Sequence, residues 1–560
     1  MTSTPRSRSW RPLSEAAAGP AGSAGRGAGG GRVWHGRWLL GLAALGLFLA
    51  AMDAYAVVTL LPQMLGDLEL PIDRIEAASP IVTGFLGGYV VAMPLLGAYS
   101  DARGRLPVYA LSCFLLALGS IVTAWSPGLS WLVLGRVLQG LSGGALVPLT
   151  LALAADLFPA GGDHVGAGRR RALALGLVSG VQEAGSVLGP LYGAWLAALL
   201  ASFGGWRGVF LFNVPLLVLL VGLMWLAAGR PALGGGGRRS GLLAWRGGSA
   251  MAAVDWRSAL LLGLGLGLLV VALYPDDPAH RATNLYAVPF GAAALALLAV
   301  FGWRQARRLE PLVDRRLLRS RTFIGANLAN LLAGGALMVA LVDVPILGRA
   351  VFGLDQLQAG NLLVRFLAGV PVGALAGGFL AGRLGRRWTA VLGLLVAGAA
   401  YMRMAGWQLL ELRDAGLAAG LALFACGLGF GLVVAPLSSA VLGLTRRNEH
   451  GLASSLVVLA RTLGMLISLS ALTAFGLHRF NQIFAARSCD RIQSPGLTER
   501  FTLLERCVRD SLLQEYHEIF LVAAGLCLLG AAVALVSLAG TETEERPRQP
   551  GSSLGPTALD

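Results

Sequence analysis

The stretches GAYSDARGRL, residues 97–106, and GFLAGRLGRR, residues 378–387, are two copies of one short loop. Setting Gly97 against Gly378 matches Gly104–Arg105 with Gly385–Arg386 and puts Asp101 opposite Gly382. Each copy follows the second long apolar run of its half of the chain, so the pair marks an internal duplication. Repeated sets of apolar helices joined by short basic loops are the pattern of a two-bundle membrane transporter.

Composition supports a chain built for lipid. Of 560 residues, 55% are apolar and 13% charged, and mean hydropathy is +0.68. A soluble protein carries about 25% charged residues. The 78 glycines suit helices that pack closely in a bilayer. A net charge of +15 has the look of a nucleic-acid signal, but the 45 basic residues are all arginine and most are compositional background. No nucleic-acid partner is expected.

Fourteen apolar stretches are long enough to span, taking about 20 residues as the requirement. They predict an all-α integral membrane protein with a tail, two bundles and an insertion. Residues 1–36 are expected to be a disordered basic tail, and no signal peptide is read there. A six-helix bundle is expected over 37–228, a linker with two extra transmembrane helices over 229–322, and a second six-helix bundle over 323–540. Residues 541–560 read as a disordered tail. Arginine-rich runs such as RRR at 169–171, RR at 238–239 and RR at 386–387 fall between spans on one side. By the positive-inside rule that side is cytoplasmic, with both termini on it. The segment 478–515 then lies outside, either as a helical extension or as an ordinary loop. It holds Cys489 and Cys507, which could form a disulfide in an oxidising compartment; the alternative is two unpaired thiols. No zinc spacing is present, and no metal or cofactor is implied.

Four motifs occur in order. GAYSDARGRL follows the second span; LGRVLQGLSGG, 134–144, lies in the fourth; GSVLGPLYGA, 185–194, lies in the fifth; DAYAVVT, 53–59, lies in the first. Together they resemble the major facilitator superfamily and its 14-helix drug:proton antiporter branch. That resemblance implies two six-helix bundles plus two linker helices, a gating loop at Gly97, Asp101, Arg103, Gly104 and Arg105, and an antiporter motif at Gly185, Gly189, Pro190 and Gly193. The loop departs from the family pattern: Ala102 stands where a basic residue is usual, and Leu106 follows Arg105. Further runs, including VQEAGSVLGPLYG, ALMVALVDV and HGLASSLVVLARTLGML, are similar to mycobacterial lipid-exporting members that act with a periplasmic lipid-carrying lipoprotein. The resemblance runs from about residue 40 to 540. It implies export of triacylglyceride across the cell's plasma membrane.

Six ionisable residues fall inside predicted spans: Asp53, Arg136, Glu183, Asp343, Arg365 and Arg461. A charge at the centre of a membrane helix costs at least ~2.5–3.5 kcal/mol, so such residues face a bundle interior, pair, and mark ion or substrate routes. Asp53 and Glu183 are the expected proton-coupling carboxylates, with Arg136, Asp343 and Arg461 as buried charge partners. A purely structural ion pair is the alternative for each. At about 100° per residue, Gly185 and Gly189 lie roughly 200° and 240° around from Glu183. The Gly185–Gly189–Gly193 stripe therefore suits a packed seam and leaves Glu183 toward a cavity. The scattered polar residues Tyr55, Thr59, Gln63, Gln139, Ser142, Gln182, Asn327 and Asn330 predict a lightly polar cavity for hydrophobic or amphiphilic cargo. They do not separate lipid export from multidrug efflux. An integral membrane lipid enzyme is disfavoured: the six histidines lie away from span centres, and no H-E-x-x-H or G-x-S-x-G run appears.

Overall fold

The computed structural model describes residues 28–68, 79–158, 167–229, 255–273, 285–308, 313–354, 356–407, 417–446, 449–487, 489 and 497–539. The described residues form helices and turns, with no strand among them. Fourteen helices have eighteen residues or more: α1 (Ala28–Asp67), α2 (Ser79–Arg103), α3 (Arg105–Ala124), α4 (Leu129–Leu157), α5 (Ala167–Leu199), α6 (Trp206–Gly229), α7 (Trp256–Leu273), α8 (Ala287–Arg307), α9 (Arg321–Ala350), α10 (Gln356–Leu384), α11 (Arg386–Met404), α12 (Leu417–Gly443), α13 (His450–Ala486) and α14 (Leu497–Ser537). Thirteen are apolar enough to cross a membrane; α11 misses that mark because Arg386, Arg387 and Arg403 dilute its ends. Helices are the natural answer here, since in lipid every backbone N–H and C=O must be satisfied within the segment.

Helices α1–α6 pack as one group and α9–α14 as another, with the same internal pairings. The pairs α1–α5, α2–α4, α3–α4 and α3–α6 recur as α9–α13, α10–α12, α11–α12 and α11–α14. Glycines make the α2–α4 and α10–α12 pairs intimate. A methyl added at Gly140 or Gly144 would collide with the carbonyls of Phe85 or Tyr89, and one at Gly427 or Gly431 with those of Phe366 or Val370. The two groups meet through α2 against α13 and α5 against α10, which is one contact type used twice about a pseudo-two-fold axis.

Between them, α7 leans on α2 and α13, and α8 packs on α7. Of the residues of α8 only Ala294 and Gln305 are buried, so much of its surface is left uncovered by the rest of the protein. Asp255, just before α7, accepts from the Ser258 amide at 3.2 Å and pairs with Arg304 and Arg308 at the end of α8.

Several boundaries shift from expectation. Helix α1 begins at Ala28, so residues 28–36 are helix where tail was expected. Residues 1–27, residues 230–254 of the expected linker, and the expected tail at 541–560 lie outside the described residues. The segment 478–515 is largely helical: α13 continues to Ala486, and α14 begins at Leu497. Cys489 and Cys507 are joined in a disulfide with Cα atoms 5.9 Å apart. The Arg479–Glu518 pair, 2.5 Å, ties the two extensions together.

Candidate transport site

A cavity of about 370 Å³ lies between the bundles, walled by residues of α1, α2, α4, α5, α9, α10 and α13. Apolar side chains such as Leu47, Phe85, Leu337 and Met465 dominate it, with Gln182, Glu183, Arg136 and Arg461 as its strongly polar members.

Arg136 lines this space and pairs with Asp53 inside the first bundle; the two are 2% and 1% exposed. Asn213 of α6 donates to Asp53 Oδ1 at 2.7 Å, and Gln139 of α4 donates to the same oxygen at 3.3 Å. Arg136 Nη1 stands 3.6 Å from Asp53 Oδ2, an ion pair beyond hydrogen-bond distance; the same nitrogen donates to Gln139 Oε1 at 2.9 Å. Asp53 Oδ2 has no hydrogen-bond partner among the described residues. The Arg136 guanidinium also lies 4.4 Å from the Phe85 ring centre, a cation–π contact. Behind it Tyr192 donates to Asn213 Oδ1 at 2.9 Å, completing a chain from α5 through α6 to α1. Asp53 is thus a desolvated carboxylate held by neutral donors, with its cation at arm's length.

Glu183 of α5 reaches across to the other bundle. Its Oε1 lies 3.1 Å from Arg461 Nη2 of α13, and both side chains keep some exposure to the cavity, at 13% and 17%. Pro190, about two turns further along α5, has its carbonyl bonded by Thr59 at 3.0 Å. The glycine stripe is the packed seam: methyls at Gly185, Gly189 and Gly193 would meet the backbone carbonyls of Phe48, Met52 and Ala56 of α1 at 2.7, 2.7 and 2.9 Å. Gly176, on a different side of α5, packs against Ala374 and Gly378 of α10. Helix α5 therefore has one glycine face for its own bundle and another for the partner bundle.

The loop copies lie at one end of the molecule. Asp101 accepts from the amides of Gly451 and Leu452, each at 3.0 Å, and so caps the first turn of α13 from across the bundle interface. Arg105 holds Asp101 at 2.5 Å and Asp156 of α4 at 3.1 Å, while His450 Nδ1 sits 2.9 Å from the other oxygen of Asp156. Gly97 permits the approach, since a methyl there would meet the Gly451 carbonyl at 2.8 Å. Gly104, with φ of 101°, makes the turn between α2 and α3, a conformation that favours glycine. Ser454 and Ser455 of α13 add bonds to the carbonyls of Pro148 and Met93. Arg103 stacks over Tyr99.

Asp343 departs from its expected role as a charge partner. No ion pair reaches it among the described residues; it lines a separate small pocket with Leu469 and Leu472, and the acid Glu515 of α14 is its charged neighbour. Asn327, expected in the central cavity, instead lines a cleft between α8, α9 and α13. Sequence reading passed over Asn213 because a neutral amide among apolar residues carries no charge signal. Glu515 falls in the expected extracytoplasmic segment 478–515 because the apolar run of the last span begins after it. Asp156 and His450 sit at span ends, where charge is unremarkable.

Duplicated bundles, a central cavity and a capped inter-bundle loop define a membrane transporter. The Major Facilitator Superfamily profile matches residues 43–247 and 240–469, and the chain belongs to that superfamily. It is 40% identical over 509 residues to a triacylglyceride transporter of Mycolicibacterium smegmatis, covering 88% of this chain and 86% of that one. It is 38% identical over 517 residues to a triacylglyceride transporter of Mycobacterium tuberculosis, covering 90% and 95%. Among solved structures, the human organic anion transporter MFSD10 shares the fold at 18% identity and a TM-score of 0.59, covering 89% of this chain and 99% of that one. The protein is a multi-pass membrane transporter, and the relatives it matches are transporters rather than enzymes.

Proposed function

We propose that this transporter is a proton-coupled antiporter that exports hydrophobic or amphiphilic molecules, with triacylglyceride as the favoured cargo. The Glu183–Arg461 pair is the observation that carries the mechanism, because it is an ion pair joining the two bundles inside a mostly apolar cavity. A proton taken by the Glu183 carboxylate removes its charge, releases Arg461, and lets the bundles part. Loss of that proton on the other side restores the pair. Asp53 serves as a second exchangeable carboxylate, since its bonds to Asn213 and Gln139 survive protonation better than a tight ion pair would.

The arginine distribution favours a cytoplasmic position for the Asp101 end, with protons entering from outside. The lipid assignment leans on the names of the two mycobacterial relatives, and a lipid-carrying lipoprotein outside belongs to the same reading. One observation favours a second reading, a multidrug:proton antiporter. The cavity volume of about 370 Å³ lies in the range of drug-sized sites, and a triacylglyceride with three long chains exceeds it in this conformation.

Proteoliposomes with an imposed pH gradient and a fluorescent triacylglyceride test the proposal. Gradient-driven lipid movement that Glu183→Gln and Asp53→Asn each abolish is the expected result. Movement undiminished in the double variant removes proton coupling through these groups. Efflux of a lipophilic dye without lipid movement moves the cargo to drug-like compounds.

A further inference from the structure

The two loop copies differ in the charge balance of their surroundings. Around the first, Asp101 and Asp156 face Arg105 and His450. Around the second, the α10–α11 junction, Arg386 stands where Arg105 does and Gly382 where Asp101 does. Neighbouring contacts extend the match. A methyl on Gly97 would meet the Gly451 carbonyl at 2.8 Å, and one on Gly378 would meet the Ala172 carbonyl at 2.7 Å. Ala172 therefore corresponds to Gly451, and Arg171 to His450. Asp156 also has its counterpart: a methyl on Gly443, the last residue of α12, would sit 2.9 Å from Arg386 Nη1. The second junction thus keeps both basic positions and has glycine at both acidic ones.

The arginines left there enclose a cavity of about 60 Å³, lined by Arg169, Arg171, Gly382, Arg386 and Ser439 among others. Arg171 is 5% exposed, and its Nε and Nη2 have no hydrogen-bond partner among the described residues. Buried guanidinium N–H groups left unbonded are costly. Arg386 repels Arg171, and the acid that attracts it, Asp156, already has its two oxygens engaged by Arg105 and His450. Arg386 itself donates to the Ser439 carbonyl at 3.4 Å. The cavity opens beside the first turns of α5, whose backbone amides and dipole also favour negative charge.

We propose that this junction binds a phosphate-class oxyanion, which stands in for the two carboxylates that close the first junction. Guanidinium groups match phosphate oxygens in charge and in planar hydrogen-bond geometry, and the cavity has room for a tetrahedral anion or a lipid phosphodiester. The ligand is either the headgroup of an anionic phospholipid in the adjoining leaflet or free inorganic phosphate. Once bound, it ties α5 of one bundle to α10–α12 of the other and stabilises the form closed at this end.

The thermal stability of the full chain tests this in two arms. Delipidated protein in neutral detergent is titrated with inorganic phosphate against chloride at matched ionic strength. In parallel, nanodiscs of phosphatidylcholine alone are compared with nanodiscs containing phosphatidylglycerol. A saturable rise in Tm is expected. A rise with phosphate in detergent assigns the free anion, and a rise with phosphatidylglycerol alone assigns the lipid headgroup. Arg171→Gln is expected to lose the rise. Gly443→Asp supplies the missing carboxylate next to a flexible guanidinium, so it is expected to raise the ligand-free Tm and lose the response. If Arg171→Gln fails to fold, Gly443→Asp decides alone. The proposal is overturned if wild type responds to neither arm, or if Gly443→Asp responds as fully as wild type.

Discussion

Asp53 and Arg136 differ from a tight ion pair in a way that predicts unequal consequences of removing them. Arg136 is buried over the Phe85 ring and bonded to Gln139, whereas Asp53 takes its hydrogen bonds from two amides. Arg136→Ala leaves the Asp53 carboxylate buried with no cation and is expected to cost about 3–5 kcal/mol. Asp53→Asn keeps an acceptor for Asn213, so its loss of stability is smaller. Thermal melts of the two variants in one detergent should rank them in that order, and the reverse order would contradict this account of the site. Charges standing in apolar runs made Asp53, Arg136, Glu183 and Arg461 readable from the sequence. Their arrangement was not: which acid meets which base depends on helices far apart in the chain, and Asp343 found a neighbouring acid instead of a base.

Helix contacts follow from glycine, and so does their fragility. Gly189→Val would drive methyl groups into the Met52 carbonyl and the Tyr55 side chain, at 2.7 and 2.8 Å from the first added carbon. Overpacking of this kind costs about 1–3 kcal/mol, and it should appear as a lower Tm and a poorer monodisperse yield than Gly222→Val, where nothing stands within 4 Å. The linker helices offer a separate test. Burial pushes the Asp255 carboxyl up, but the Ser258 hydrogen bonds and the Arg308 and Arg304 guanidinium groups outweigh it and hold the group below its ordinary value of 3.8. A lowered folded value means stability that is present above 3.8 and lost as pH falls through the folded value. The Tm difference between wild type and Asp255→Asn should therefore shrink as pH is taken from 6 toward 3. Apolar runs gave away the number and order of the helices, since a span needs a hydropathy signal. They did not give the lengths of α1, α13 and α14, because a helix that leaves the bilayer continues with polar residues and no such signal.

The assembled molecule is held shut at one end by Asp101, which satisfies two amides of α13 and one arginine at once. Hydrogen bonds to a charged group contribute about 1.5–3 kcal/mol each, so Asp101→Ala should shift the balance of closed and open forms at this end by tenfold or more. Spin labels placed on the exposed faces of the two bundles there would report the change as a longer distance population in electron–electron resonance. An unchanged distribution would show that the serine bonds to Pro148 and Met93 suffice. The duplicated loop made the two-bundle plan legible, but the alignment alone could not show that its two copies face different charges.

Helix α13 starts at that closed end with His450, carries Arg461 at the cavity, and runs unbroken to Ala486 beside the disulfide. Thirty-seven residues make a rod about 55 Å long. Because it is pinned near its base, it works as a crowbar: a tilt of about 10° at the pinned end sweeps the far tip through about 10 Å. In the proposed cycle, the stroke that unseats Arg461 from Glu183 swings the cross-linked hairpin by more than the bundles themselves move, making the tip the most mechanically amplified point.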